Sequence, residues 1–132
     1  FVRGFKLQRG AIASTVGHDA HNLALLGTND NDMLACAHEL ARVGGGQCAA
    51  LDGEILATLP LPIAGLMSDR PAREVIDAQR VLLEATRDAL GCPHDDPFMP
   101  LSFMPLPVIP SLKVTDLGLV DVERFAVVPI EA

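Results

Sequence analysis

His18, Asp19, His21 and Asn22 place four hydrogen-bonding side chains within positions 18–22, between two apolar segments. A chain reversal alone seldom needs that many donors and acceptors. Two imidazoles at this spacing can move a proton near neutral pH or orient a neighbouring group, and an aspartate beside them can fix an imidazole tautomer. A structural reading stands next to the chemical one: Asp and Asn side chains bond to nearby backbone, and the loop packs against another surface. Clustered titratable groups point to sites only statistically, so both readings are open. A metal held by His18 and His21 is disfavoured, since a stable site needs three or four ligands and no other His, Cys or Asp pair is spaced to complete it. The expectation is no metal and no cofactor in this chain.

Other candidates have structural explanations. His38 sits beside the apolar stripe of a helix and His94 follows Cys92-Pro93 at a helix exit, both boundary or capping positions. Gly44-Gly45-Gly46 follows a helix instead of preceding one, so it terminates the helix and does not cradle a phosphate. Cys36, Cys48 and Cys92 are an odd number with no Cys-x-x-Cys among them, which predicts neither a disulfide framework nor a zinc site but reduced thiols in a cytoplasm.

The elements that must position the loop follow from periodicity. Residues 5–16 begin with alternation and become small and apolar, a strand leading inward, and Leu23–Thr28 is a short apolar run suited to a strand covered on both faces. Asn29, Asp30 and Asp32 supply capping oxygens to a first helix, with Met33, Leu34, Ala37, Leu40 and Ala41 facing inward. Asp52-Gly53 between two apolar runs predicts a two-residue hairpin. Pro60–Met67 is an irregular apolar connection. Ser68 or Asp69 caps a second helix with Pro71 in its first turn, an inward stripe through Ala72, Val75, Ile76, Gln79, Leu82, Leu83, Thr86 and Leu90, and a stop at Gly91. The proline-containing tail from Pro93 to Pro110 is apolar where a flexible linker would be polar, so it packs against something. Residues 115–121 carry turn chemistry, and Phe125–Ile130 forms a closing strand. The predicted fold is α+β (or mixed α/β), a mixed β-sheet of about five or six strands with two amphipathic helices on one face.

The 132 residues suit one domain, residues 1–132, and leave no room for a catalytic barrel of ~250 residues beside it. With 49% hydrophobic and 20% charged residues there is material for a core, and 4% aromatic content with no Trp or Tyr leaves few platforms for stacking bases. A net charge of −7 is the wrong sign for nucleic acid. Mean hydropathy is +0.31, yet no apolar run approaches the ~20 residues of a membrane span, and Phe1-Val2-Arg3-Gly4 lacks a leader's cationic start, so a soluble cytoplasmic location without membrane partners is expected.

Several separated blocks then agree with one family: Gly17-His18-Asp19-Ala20-His21-Asn22, Gly27-Thr28-Asn29-Asp30, Gly44-Gly45-Gly46, Leu59-Pro60-Leu61-Pro62-Ile63-Ala64-Gly65-Leu66-Met67-Ser68, Asp96-Pro97-Phe98-Met99, Leu101-Ser102-Phe103, Leu106-Pro107-Val108-Ile109-Pro110 and Gly118-Leu119-Val120-Asp121-Val122. Over essentially its whole length the chain resembles the C-terminal domain of adenine deaminases of the amidohydrolase superfamily. The resemblance implies a parent enzyme with a metal-carrying barrel, a small β-domain and this domain, hydrolysing adenine to hypoxanthine and ammonia with iron or manganese in the barrel. The barrel's paired metal histidines have no counterpart here, so this chain alone is expected to be inactive. Its implied partners are the catalytic barrel of the same polypeptide and further copies in a homo-oligomer, with docking, active-site closure or oligomerisation as its role. On that reading the loop of His18, Asp19, His21 and Asn22 reaches the barrel mouth, where either histidine shuttles a proton or orients a metal-site group and Asn22 pairs with a purine edge. The family pattern has Ala and Ser where this chain has Gly17 and Ala20, so no role carries over for the serine hydroxyl. The alternative is a non-catalytic ligand-binding or interaction domain related to the deaminase tail.

Overall fold

The computed structural model describes residues 1–130. In chain order it contains β1 (Ala11–Ser14), β2 (Ala24–Gly27), α1 (Asp30–Val43), β3 (Gly46–Leu51), β4 (Glu54–Pro60), α2 (Ala72–Asp88), α3 (Phe98–Ser102), β5 (Leu112–Thr115), β6 (Gly118–Asp121) and β7 (Ala126–Val128). The class is α+β, as expected. Its particulars differ from the sequence expectation: the seven strands form a four-stranded sheet in the order β2-β1-β3-β4 and a three-stranded sheet β5-β6-β7, and every pairing is antiparallel. The α1 crossover does not create a parallel pair because β2 and β3 both flank β1. They run in the same direction with β1 between them.

Nor do the two long helices share one face. Successive strand residues point to opposite sides of a sheet, and Ile12 packs with Leu82 and Leu90 while its neighbours Ala11 and Ala13 pack with Cys36 and Leu40. Thus α2 covers one face and α1 the other. Small side chains at Ala11, Ala13, Cys48 and Ala50 let α1 lie close. A bulge makes the alternation work in β4: Ala49 pairs with Ala57 but Ala50 with Ile55, so Leu56 is the extra residue and Ile55 is turned to the α1 side.

Local chemistry accounts for most boundaries. The Asn29 carboxamide accepts from the Asp32 backbone N–H at 2.9 Å and caps α1, and Gly44 ends it in the left-handed conformation. Burial on α1 centres on Asp32, Cys36 and Leu40, leaving Leu34 56% exposed and Ala41 exposed, against the expected stripe. Gly46 opens β3 where a Cβ would stand 2.1 Å from the Leu59 carbonyl oxygen, a separation only glycine allows. Asp52 and Gly53, at φ 54° and 82°, make the predicted hairpin turn.

The expected cap of α2 is absent. Ser68 Oγ accepts from the Arg70 N–H, closing the turn ahead of the helix, and Pro71 occupies the cap position without a side-chain bond. Leu82 and Thr86 are buried on its inner face, while Ile76 is 64% exposed and Ala72 is exposed, because α2 lies over β4 at the sheet margin and has only a narrow contact stripe. Gly91 stops it as predicted, with the Cys92 N–H donating to the Thr86 carbonyl.

The tail does pack: Phe98, Leu101 and Leu106 are buried. It also contains α3, which the sequence reading did not include. β2 proves to be an edge strand with Leu25 38% exposed, not a strand covered on both faces. Residues 115–121 are more than a turn, since β6 occupies 118–121 after the tight reversal from β5. Among the described residues no helix is long and apolar enough to cross a membrane.

Candidate functional site

The 18–22 loop joins β1 to β2, and its base is tied down firmly. Thr15 donates its N–H to the Gly46 carbonyl at 2.9 Å, its hydroxyl accepts from the Gly46 N–H at 2.7 Å and donates to the Gly65 carbonyl at 2.7 Å. The buried Ser14 hydroxyl meanwhile bonds to both backbone groups of Val16. Gly17 is buried at the next step, and a Cβ there would lie 2.6 Å from the Ala20 carbonyl oxygen. Any side chain at this position would therefore force the loop backbone to shift.

Beyond Gly17 the backbone reverses tightly about Asp19, whose φ is 75° while the Ala20 N–H donates to the His18 carbonyl at 3.1 Å. Positive φ at a non-glycine costs about 1–3 kcal/mol and persists where surroundings enforce it, often in functional loops. Aspartate tolerates it better than most residues.

The loop holds its four polar residues in the open, and His18, His21 and Asn22 have different surroundings. His18 donates its backbone N–H to the Ser102 carbonyl at 2.9 Å and stacks its ring on Phe103, with centroids 4.9 Å apart and 27° between planes. His21 lines a shallow recess of about 350 Å³ bordered by Thr15, Ala37, Ala41 and Gly65. Asn22 lines a cleft of about 310 Å³ between β2, Pro105 and the end of β5, and with Ala20 a smaller one of about 190 Å³ between Pro105, Pro107 and the β5–β6 turn. Among the described residues no hydrogen bond joins the Asp19 carboxylate to either imidazole, and no three His, Cys, Asp or Glu side chains gather as a metal site. The loop thus exposes polar groups that are dispersed over its surface and do not converge on one point.

Charges elsewhere serve the fold. Burial raises the Asp32 carboxyl, but hydrogen bonds from Asn29 and from the Gly53 and Asp52 backbone outweigh it and hold the group below its ordinary value. That carboxylate clasps the β3–β4 turn to α1 through the Gly53 N–H at 2.7 Å. Glu39 is lowered by its hydrogen bonds from Arg42, against burial, with help from Thr58. The Cys48 thiol is pushed up by its contact with Cys36 and by burial, so it stays protonated and is no nucleophile. His94 lies 2.8 Å from the Gly4 carbonyl and edge-on to Phe5, a boundary residue as expected, and His38 is exposed on α1.

Sequence reasoning missed Phe103 because it missed α3. A signal was present in Asp96-Pro97, an acceptor followed by a proline preorganised for a first helical turn, and Asp96 does accept from the Phe98 and Met99 N–H groups. Pro100 obscured it.

The model of the family described as adenine deaminase C-terminal domain matches residues 1–126. Adenine deaminase 2 of Carboxydothermus hydrogenoformans is 53% identical over 129 residues, covering 98% of this chain and 23% of the relative. Adenine deaminase of Cereibacter sphaeroides is 55% identical over 129 residues with the same two coverages, and that of Dehalococcoides mccartyi is 51% identical over 132 residues, again 98% and 23%. The chain therefore spans under a quarter of the length of these curated relatives. Matched along nearly all of its length and more than half identical to such proteins, it belongs to the adenine deaminase C-terminal domain family.

Proposed function

We propose that this chain is one domain, the C-terminal part of an adenine deaminase, and that it docks on the catalytic barrel of the same polypeptide and presents its 18–22 loop to the reaction centre there. The observation that carries this reading is the match itself: over nine-tenths of the chain aligns with only 23% of each relative, so most of such a protein lies outside it. The parent would hydrolyse adenine to hypoxanthine and ammonia, with iron or manganese held by the barrel. This chain's residues contribute polar groups at the rim, His18 and His21 as proton carriers or orienting groups and Asn22 as a partner for a purine edge. The strained turn at Asp19 and the exposure of all four side chains support a recognition role. Three buried free thiols suit a cytoplasmic location.

A second reading, a docking or oligomer contact without chemistry, is favoured by the divergence of His18, His21 and Asn22 and by the exposed apolar residues of β5–β7. Alanine substitution of His18, Asp19, His21 and Asn22 singly in the full-length protein separates the two. A chemical role lowers kcat for adenine deamination by on the order of 100-fold for at least one histidine. Unchanged kcat in all four, with loss of assembly instead, leaves the docking reading. The purified chain alone should release no ammonia from adenine.

A further inference from the structure

The two histidines of the loop are held very differently. Among the described residues His21 makes no hydrogen bond and meets no aromatic ring, whereas His18 is gripped twice by consecutive residues at the end of α3, its backbone by the Ser102 carbonyl and its imidazole by the face of Phe103. A centroid distance of 4.9 Å with planes 27° apart lies in the range of favourable offset stacking. The clamp is itself anchored. Phe98 and Leu101 are buried in the main core, Asp96 caps the first turn of α3, Ser102 Oγ donates to the Met99 carbonyl at 2.7 Å, and the Phe103 N–H donates to the Pro100 carbonyl at 3.2 Å. Phe103 is thus a half-buried aromatic on a rigid support beneath an exposed loop.

We infer that Phe103 is a positioning residue, holding the His18 imidazole in one orientation toward the reaction centre, and that His18 rather than His21 is the loop's proton-handling group. The inference rests on the reading that this loop faces the catalytic core. An exposed imidazole free to rotate spends little time in a productive pose, and an error of about 1 Å in a reacting group costs on the order of 100-fold in rate. A flat ring beneath it removes that freedom without withdrawing either ring nitrogen from solvent or substrate.

The test uses the full-length protein, with kcat and KM for adenine measured for Phe103→Leu, Phe103→Met, Phe103→Tyr, His18→Ala and His18→Ala/Phe103→Leu, and folding checked by thermal midpoint. Loss of the ring in Phe103→Leu and Phe103→Met should lower kcat about tenfold with KM changed less than about twofold. The Tyr variant, which keeps the ring face, should remain near wild type, and the double variant should be no slower than His18→Ala. If Leu and Met variants that fold normally keep full kcat, or if Phe103→Leu slows the His18→Ala background as much as it slows wild type, Phe103 does not act through His18 and the inference is overturned while the loop's role stands. A His18→Ala protein with normal kcat overturns the inference and, if Asp19, His21 and Asn22 are equally silent, the reaction-facing reading as well.

Discussion

The two sheets of this molecule share their local chemistry and differ in what covers them. Both contain a hairpin closed by a two-residue turn, Asp52-Gly53 between β3 and β4 and Asp116-Leu117 between β5 and β6, with antiparallel pairing on either side. In the four-stranded sheet Ile12, Cys48, Ala49 and Ala50 have no exposed surface, because α1 lies on one face and α2 and α3 on the other. In the three-stranded sheet no strand residue is buried: Leu112 and Val114 are each 51% exposed and Val127 61%, and beside them Phe125 is 90% and Ile130 85% exposed. Turn and pairing preferences are satisfied within a few residues, whereas burial needs a partner layer. The first sheet carries its partner layers in the same chain, and the second exposes the kind of surface that a docking protein covers.

Substitutions should divide along that line. The largest effect is expected from Leu82→Ala, which empties a site of 0% exposure between α2 and the first sheet and should cost about 2–5 kcal/mol in urea unfolding. Gly46→Ala comes next. Its Cβ cannot coexist with the Leu59 carbonyl, so β3 must part from β4 at a cost of about 1–3 kcal/mol, visible as faster amide exchange in both strands.

Asp32→Asn should cost about 1–2 kcal/mol at neutral pH by weakening the clasp between α1 and the β3–β4 turn. The folded carboxyl titrates below its ordinary value of 3.8, so its contribution is complete above that pH and is lost as pH falls through the lower folded value. The stability gap between wild type and variant should therefore close on acidification, and a gap unchanged to about pH 2 would contradict the assignment. The smallest effect belongs to the second sheet. Val127→Ser should alter the stability of the 132-residue chain by less than about 0.5 kcal/mol. If this sheet is a docking face, the same change in the full-length protein should cost more, and the chain by itself should self-associate in light scattering. A monomer at every concentration, with Val127→Ser silent in both contexts, would leave the exposed sheet without a docking role.

Which elements were readable from sequence follows from the same contrast. The α1 cap at Asn29, the stops at Gly44 and Gly91 and the Asp52-Gly53 turn each rest on contacts spanning only a few residues, and each appears where its residues predict it. The faces were harder. Ala11-Ile12-Ala13 and Cys48-Ala49-Ala50 are apolar at consecutive positions, the mark of strands covered on both sides, yet small residues carry that mark faintly. Leu23–Thr28 showed it strongly and lies at an edge, because strand order is set by partners far away in sequence. The polar loop was conspicuous in sequence, but its anchor was not: His18 meets Phe103 across more than eighty residues, and no local pattern links them.

Residue types and short-range spacing alone determined the class of the fold, the caps and turns, and the concentration of imidazole, carboxylate and amide at 18–22, since each depends on groups that are neighbours along the chain. Tertiary structure decided that the long helices lie on opposite faces, that α3 and Phe103 clamp one histidine and leave the other open, and that the second sheet is uncovered. Those outcomes depend on which distant surfaces meet and exclude water, and that is a property of the whole packing arrangement.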